Sequence, residues 1–195
     1  AVLYATGRRP NTSNIGLENT DIATNERGAI VVNDTCESSV PGVYAVGDVN
    51  GGLQFTYISL DDFRIVFGAL TGNGQYTLKD RKNIPYTTFL TPPLARVGLT
   101  EEDAINKGYT VKTKEMLVAT MPRAHVNDYL KGAFKIVVDA ENDLILGATL
   151  YSQGAEELIN LIKMAMDNNI PYTYFKNQIF THPTMAENLN DLCNF

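Results

Sequence analysis

Three short stretches of this 195-residue chain carry side chains whose type and spacing could do chemistry. In Val40-Pro-Gly-Val-Tyr-Ala-Val-Gly-Asp48, a short apolar run ends in a glycine followed directly by a carboxylate. An Asp at the carboxyl end of a strand stands where open α/β sheets bind ligands. Gly47 would let backbone approach a ligand closely, and Asp48 would accept hydrogen bonds from hydroxyls, as a ribityl or ribose chain requires. The competing reading is that Asp48 caps the helix that follows. Phe55-Thr56-Tyr57-Ile58-Ser59 opens that helix, whose N-terminus carries roughly half a positive charge and so favours an anion. Thr56 as a simple helix cap is the alternative there. In Thr181-His-Pro-Thr-Met-Ala-Glu187, an imidazole precedes a carboxylate by five positions. With an ordinary pKa of about 6.5, a histidine can hold or release a proton near neutrality. A purely helical reading explains the same residues, with Pro183 at the first helical position and Thr184-x-x-Glu187 as a capping box.

The elements that must position these groups fall into two parts. Asn25-Glu-Arg-Gly28 reads as the turn of a hairpin between Asp21-Ile-Ala23 and the β-branched run Ala29-Ile-Val-Val32. Residues 43–46 read as a buried strand. The helix after Gly51-Gly52 shows Phe63, Val66, Phe67 and Leu70 at i, i+3, i+4, i+7 spacing and ends at Gly72 and Gly74. Residues 73–83 are polar and basic, which places a domain boundary near residue 80. From Ile84 the expected order is a strand, a helix, three strands and two or three helices, an α+β pattern with an antiparallel sheet. Thr100 and Asp103 form a near-capping box, and Gly108 stops that helix. Strands are expected at about 110–119, 132–138 and 144–151, with the turn Glu141-Asn-Asp143 joining the last two. An amphipathic helix over 155–168 covers one sheet face, and the second face is expected to be apolar and to need a cover.

Composition limits the function classes. At 44% hydrophobic residues the chain can fill one sizeable core or two small ones, and a net charge of -6 argues against a nucleic-acid partner. No apolar run approaches the roughly 20 residues that span a bilayer. The two cysteines, Cys36 and Cys193, belong to no pairing or metal spacing and suit a reducing, cytoplasmic compartment. His125 has no neighbouring His or Cys to complete a metal site, so no metal centre is expected. Tyr172, Tyr174 and Phe175 are expected to pack a helix or line a subunit contact.

Five stretches, in order, resemble the flavoprotein pyridine nucleotide-disulfide oxidoreductases, the family of glutathione reductase, lipoamide dehydrogenase and mercuric reductase. Ala5-Thr-Gly-Arg-Arg-Pro-Asn11 is similar to the crossover that returns from the NAD domain to the FAD domain, and the segment ending at Asp48 to the second FAD motif. Leu94-Ala-Arg-Val-Gly-Leu-Thr-Glu-Glu102 resembles the opening of the interface domain. Pro122-Arg-Ala124 with Gly132-Ala-Phe-Lys-Ile-Val137 resembles its next strands, and residues 181–187 match the H-P-T-x-x-E signature. The resemblance implies that residues 1–80 are the C-terminal segment of an FAD-binding domain and 81–195 an interface and dimerisation domain. It implies Gly47, Asp48, Phe55, Thr56 and Tyr57 as FAD-binding residues, with backbone N–H groups at the helix start facing the flavin pyrimidine. His182 is implied as the general acid/base for a thiol leaving group, and Glu187 as the residue that orients it. Tyr57 and Ser59 depart from the Pro and Ala of the family.

The chain has no G-x-G-x-x-G after a strand and no C-x-x-x-x-C pair. It is therefore expected to be the C-terminal part of a longer enzyme whose other domains hold NAD(P)H and the redox cysteines, with the isolated chain inactive and colourless. The implied assembly is a homodimer through residues 81–195, acting on a small-molecule or disulfide acceptor. Two alternatives stand: a non-catalytic dimerisation module, or a mercuric or copper reductase-like enzyme. Cys193 stands alone where mercuric reductases carry vicinal cysteines, and those enzymes depart from His-Pro at the position of His182. Phe55 to Val66 resembles a bacterial subgroup associated with resistance to reactive chlorine species and copper.

Overall fold

The computed structural model describes residues 1–195 and divides into two compact units, Ala1–Arg81 and Lys82–Phe195. In the first unit, irregular chain is held by turns and side-chain hydrogen bonds rather than by a sheet. The expected turn after Asn25 is present: Gly28 N–H donates to Asn25 O at 2.8 Å, and Asn25 Oδ1 accepts from the backbone of Arg27 and Ala29. The hairpin itself shrinks to a single bridge, Thr24 to Ile30. Its outer donors are taken by loops, since Ala23 N–H bonds to Ser39 Oγ and Ile30 N–H to Val49 O. Residues 43–46 likewise form no strand. They make one bridge, Glu37 to Tyr44, with Ser38 N–H donating to Val43 O at 2.7 Å and Ala45 N–H to Cys36 O at 3.0 Å.

Helix α1, Thr56–Thr71, ends at Gly72 in the left-handed conformation that glycine adopts freely. Its face differs from the sequence expectation. Ile58, Asp62 and Ile65 are buried, whereas Phe63, Phe67 and Leu70 are exposed. Spacing at i, i+4, i+7 is satisfied by both stripes; the one holding a carboxylate is inside because polar groups wait for it there.

The second unit is a five-stranded antiparallel sheet with helices. Strands β1, Tyr86–Thr88, and β2, Leu94–Gly98, precede helix α2, Glu101–Asn106. The expected Thr100–Asp103 capping box closes α2 in both directions. Strand β3, Val111–Leu117, and the short helix α3, Pro122–Val126, lead into β4, Ala133–Asp139, and β5, Ile145–Tyr151. Helices α4, Ala155–Asp167, α5, Tyr172–Asn177, and α6, Leu189–Leu192, complete the chain. The strand order is β1-β2-β5-β4-β3, so the paired strands β3, β4 and β5 are near in sequence and β2 closes on β5 from a distance.

Side chains alternate across this sheet. Met116, Phe134, Leu150 and Ala95 lie in register across four strands on the face that α4 covers, in the core with Ile159, Ile162 and Leu189. On the opposite face the same registers align Glu115, Lys135, Thr149, Arg96 and Tyr86. Lys135 reaches Glu101 of α2 at 2.6 Å, and Arg96 donates to the Tyr86 hydroxyl at 3.2 Å. This row is polar, but the next row on the same face, Leu117, Ala133, Tyr151 and Leu94, is apolar with Leu117 exposed, so the second face is mixed where an apolar one was expected. No helix of the chain is long and apolar enough to cross a membrane.

Candidate functional site

His182 lies in a loop between α5 and α6 whose shape is set by amides and hydroxyls. Thr184 Oγ1 donates to Thr181 O at 2.7 Å and accepts from Glu187 N–H at 3.2 Å. The buried Asn188 spends its side-chain amide on Thr184 O and Met185 O, and Asn190 spends its own on Phe175 O and Gln178 O. Leu189 and Leu192, both fully buried, pin the following turn to the core.

Only half of the expected capping box forms. Glu187 gives its N–H to Thr184, but its carboxylate turns to the imidazole, with Oε2 2.9 Å and Oε1 3.1 Å from His182 Nδ1. Pro183 lies before the helical turns rather than inside one. An ionised carboxylate can only accept, so it fixes the proton of a neutral imidazole on Nδ1 and leaves Nε2 as the basic atom. The His182 side chain is 73% exposed and that of Glu187 16%, so a sheltered carboxylate orients an open imidazole. This geometry suits proton transfer to or from a group outside the chain.

In the first unit, Gly47–Asn50 forms a single helical turn that carries Asp48. Gly47 has φ 73°, and a Cβ on it would meet Ser59 Oγ of α1 at 2.6 Å. The glycine thus serves the approach of the turn to α1, where the sequence reading had it serve a ligand. Asp48 caps nothing; its half-exposed carboxylate has Arg8 Nη1 as a loose partner at 3.7 Å. Helix α1 begins after Phe55 with no side-chain cap and no acidic residue in its first turn, so Thr56 does not cap it either. Tyr57 stands exposed at that end, its hydroxyl 3.2 Å from Arg64 Nη2. An accepting carboxylate and an uncapped helix start are the two kinds of group that a flavin's ribityl hydroxyls and electron-accepting carbonyl edge call for, so the residues present fit FAD.

Sequence reasoning missed Asp62. It is fully buried, and its Oδ2 accepts from Gly47 N–H at 2.7 Å and from Asn50 Nδ2 at 2.9 Å. Its Oδ1 pairs with the Arg81 guanidinium, whose Nε meets Asp61 Oδ2 at 2.6 Å. Burial opposes the charge on Arg81, but hydrogen bonds to Asp62 and Asp61 outweigh it and hold the guanidinium above its ordinary pKa. No local sequence signal marks it, because its partner Arg81 lies nineteen positions on.

The remaining candidates take structural places. His125 Nε2 lies 2.8 Å from Ala119 O, within hydrogen-bond reach of a backbone acceptor. Tyr172 and Phe175 are buried, while Tyr174 is exposed. No three His, Cys, Asp or Glu side chains are grouped to hold a metal ion. Both cysteines are free and fully buried. Burial pushes the Cys36 thiol up to about 11, helped by Asp62, and the Cys193 thiol up to about 12. Because the thiolate is the reactive form, both are expected to resist iodoacetamide at pH 8 in the folded protein and to react once it is unfolded. Mass spectrometry counts the alkyl groups, and rapid double modification of the native chain would contradict the burial.

With this geometry in place, comparison with known proteins is direct. Residues 84–193 match the pyridine nucleotide-disulphide oxidoreductase dimerisation domain, and residues 1–62 match pyridine nucleotide-disulphide oxidoreductase. The probable pyridine nucleotide-disulfide oxidoreductase RclA of Escherichia coli is 50% identical over 98% of this chain and 44% of its own length. A mercuric reductase of Staphylococcus aureus is 35% identical over 96% of the chain and 34% of its own length. Among solved structures, the HOCl-induced flavoprotein disulfide reductase RclA from Escherichia coli superposes with a TM-score of 0.94 at 49% identity, covering 97% of this chain and 43% of that one. The chain spans less than half the length of these relatives. It belongs to the pyridine nucleotide-disulfide oxidoreductase family.

Proposed function

We propose that this chain supplies the end of the FAD-binding domain, residues 1–80, and the interface domain, residues 81–195, of an FAD-dependent NAD(P)H oxidoreductase that reduces a disulfide or another oxidised acceptor. The observation that carries this reading is the turn of the Glu187 carboxylate away from its own helix cap and onto His182 Nδ1 at 2.9 Å. A cap alone would keep that carboxylate on backbone N–H groups. Bound FAD supplies the two-electron carrier between the nicotinamide and a cysteine pair outside this chain. Asp48 would accept from the ribityl hydroxyls, with Gly47 shaping its turn. The N-terminus of α1 at Phe55, Thr56 and Tyr57 would lie at the pyrimidine edge, where the N–H groups of its first turn would favour negative charge; the Phe55 N–H itself is taken by Leu53 O at 3.2 Å.

At the acceptor, His182 Nε2 protonates the thiolate that leaves as a disulfide is reduced, and Glu187 stabilises the imidazolium form from which that proton comes. In the homodimer, each His182 serves the cysteine pair of the partner. The assembly acts in the cytoplasm and has neither nucleic acid nor membrane as a partner. The acceptor is of the disulfide or copper(II) class, by analogy with the flavoprotein disulfide reductase RclA and its Cu(II) complex. A dedicated mercury relay fits less well, since burial keeps Cys193 protonated and it has no cysteine neighbour.

The test uses the complete protein. It is expected to purify yellow, with near-stoichiometric FAD bleached by NADH or NADPH, while the 195-residue chain alone is colourless and oxidises neither nucleotide. A complete protein without a flavin band would overturn the proposal.

A further inference from the structure

The ion cluster around Asp62 ties together three segments that the sequence separates: the Gly47–Asn50 turn, helix α1 and the stretch from Tyr76 to Arg81. Asp62 itself has no exposed surface, and the Arg81 side chain is 13% exposed. Both acceptor oxygens of Asp62 are engaged, one by the turn and one by Arg81. Arg81 is in turn held by Asp61, which also accepts from the Tyr76 hydroxyl at 3.3 Å.

Two features separate this cluster from an ordinary staple. The N–H that Asp62 takes belongs to Gly47, the residue immediately before Asp48, so the buried carboxylate sets the direction in which the chain enters Asp48. The same carboxylate sits on α1, whose first residues form the other half of the flavin site. One side chain therefore fixes the distance and angle between a hydroxyl-accepting carboxylate and a helix N-terminus. A Cβ at position 47 would meet Ser59 Oγ at 2.6 Å, so glycine lets the turn come this close to α1.

We propose that Asp62, clamped by Arg81 and Asp61, is a positioning residue for the flavin, holding Asp48 and the N-terminus of α1 in the spacing that binds it. The inference rests on the FAD reading above. Charged hydrogen bonds in a dry site are stiff as well as strong, which is what positioning requires.

The experiment titrates FAD into the complete protein, stripped of flavin, at a temperature where every variant is folded, and follows flavin fluorescence and the shape of the visible absorbance band. Asp62→Asn removes the charge that holds Arg81 and is expected to weaken FAD binding about 10-fold or more and to alter the bound-flavin spectrum, on the scale of one lost charged hydrogen bond. Arg81→Met is expected to do the same, and Arg81→Lys, which keeps the charge, to stay within about threefold of wild type. Ile65→Ala, buried on the same face of α1 and outside the cluster, is expected to lower the unfolding temperature while leaving FAD affinity and spectrum unchanged. If Asp62→Asn fails to fold, the two Arg81 variants carry the same comparison. Wild-type affinity and spectrum in a folded Asp62→Asn or Arg81→Met variant would overturn the positioning role and leave the FAD reading standing. A wild-type protein that takes up no FAD would remove both.

Discussion

His182→Ala is expected to slow the acceptor-reducing half of the complete enzyme's cycle by roughly 10²- to 10⁴-fold, the usual worth of a general acid/base, while reduction of the flavin by NAD(P)H stays nearly intact. The asymmetry follows from the geometry. The imidazole is open at Nε2 and anchored by Glu187 at Nδ1, so the proton it handles belongs to the acceptor half of the proposed cycle. Glu187→Ala should cost less, because the imidazole keeps its proton-transfer atom and loses only its orientation. The loop should survive that change, since the Glu187 N–H, not its carboxylate, bonds to Thr184. The double variant should be little worse than His182→Ala alone, as groups acting as one unit are not additive. Stopped-flow measurement separates the two half-reactions. Equal slowing of both by His182→Ala would remove the assigned role, and a Glu187→Ala protein that is unstable yet turns over normally would return Glu187 to the role of a helix cap.

The second unit was the more legible of the two, for a physical reason. Its strands pair largely with sequence neighbours, and the burial of one face by α4 leaves an alternation that a single sequence displays, as in Phe134, Lys135 and Ile136. The Thr100–Asp103 box is local and needed nothing else. What escaped depended on distant partners. Strand β1 pairs only with β2, across Pro92 and Pro93, and is three residues long, too short for periodicity to mark it. A polar row, Glu115, Lys135 and Thr149, and an apolar row, Leu117, Ala133 and Tyr151, share one face, which only the registers show.

In the first unit, Phe63, Phe67 and Leu70 of the apolar stripe are exposed and Val66 is half-buried, because periodicity marks a face without saying which side the rest of the unit packs against. Asp62 was illegible for a related reason. A carboxylate in a helix reads as solvated until Arg81, nineteen positions on, is known to reach it. At the acid/base site the residue types were readable and their roles were not decidable. The same seven residues encode a capping box or a His–Glu pair, and the direction of one carboxylate separates the two.

Ile179→Asp is expected to weaken the proposed homodimer by roughly 10²- to 10⁴-fold and to take acceptor reduction down with it. Ile179 is 92% exposed, in the loop between α5 and His182, and contributes nothing to the core of its own unit. An isoleucine so placed is stable in water only at the cost of its apolar surface, and burying it against a partner would gain about 1.5–3 kcal/mol. A twofold interface uses each residue twice, so the loss is doubled to about 3–6 kcal/mol. Each 1.4 kcal/mol is tenfold in the dissociation constant, which sets the scale expected. An aspartate there would further bury an unpaired carboxylate or forbid the contact outright. Because His182 follows three residues later and is proposed to serve the partner's cysteines, dissociation should remove its substrate rather than its fold. Sedimentation velocity over a dilution series, read beside the two half-reactions, distinguishes the outcomes. A variant that dissociates, keeps its unfolding temperature and recovers acceptor reduction at high protein concentration would fit a site completed by the second copy. One that remains dimeric at nanomolar concentration would place the Ile179 loop outside the contact, and a wild-type protein that is monomeric at high concentration would dispose of the shared site altogether.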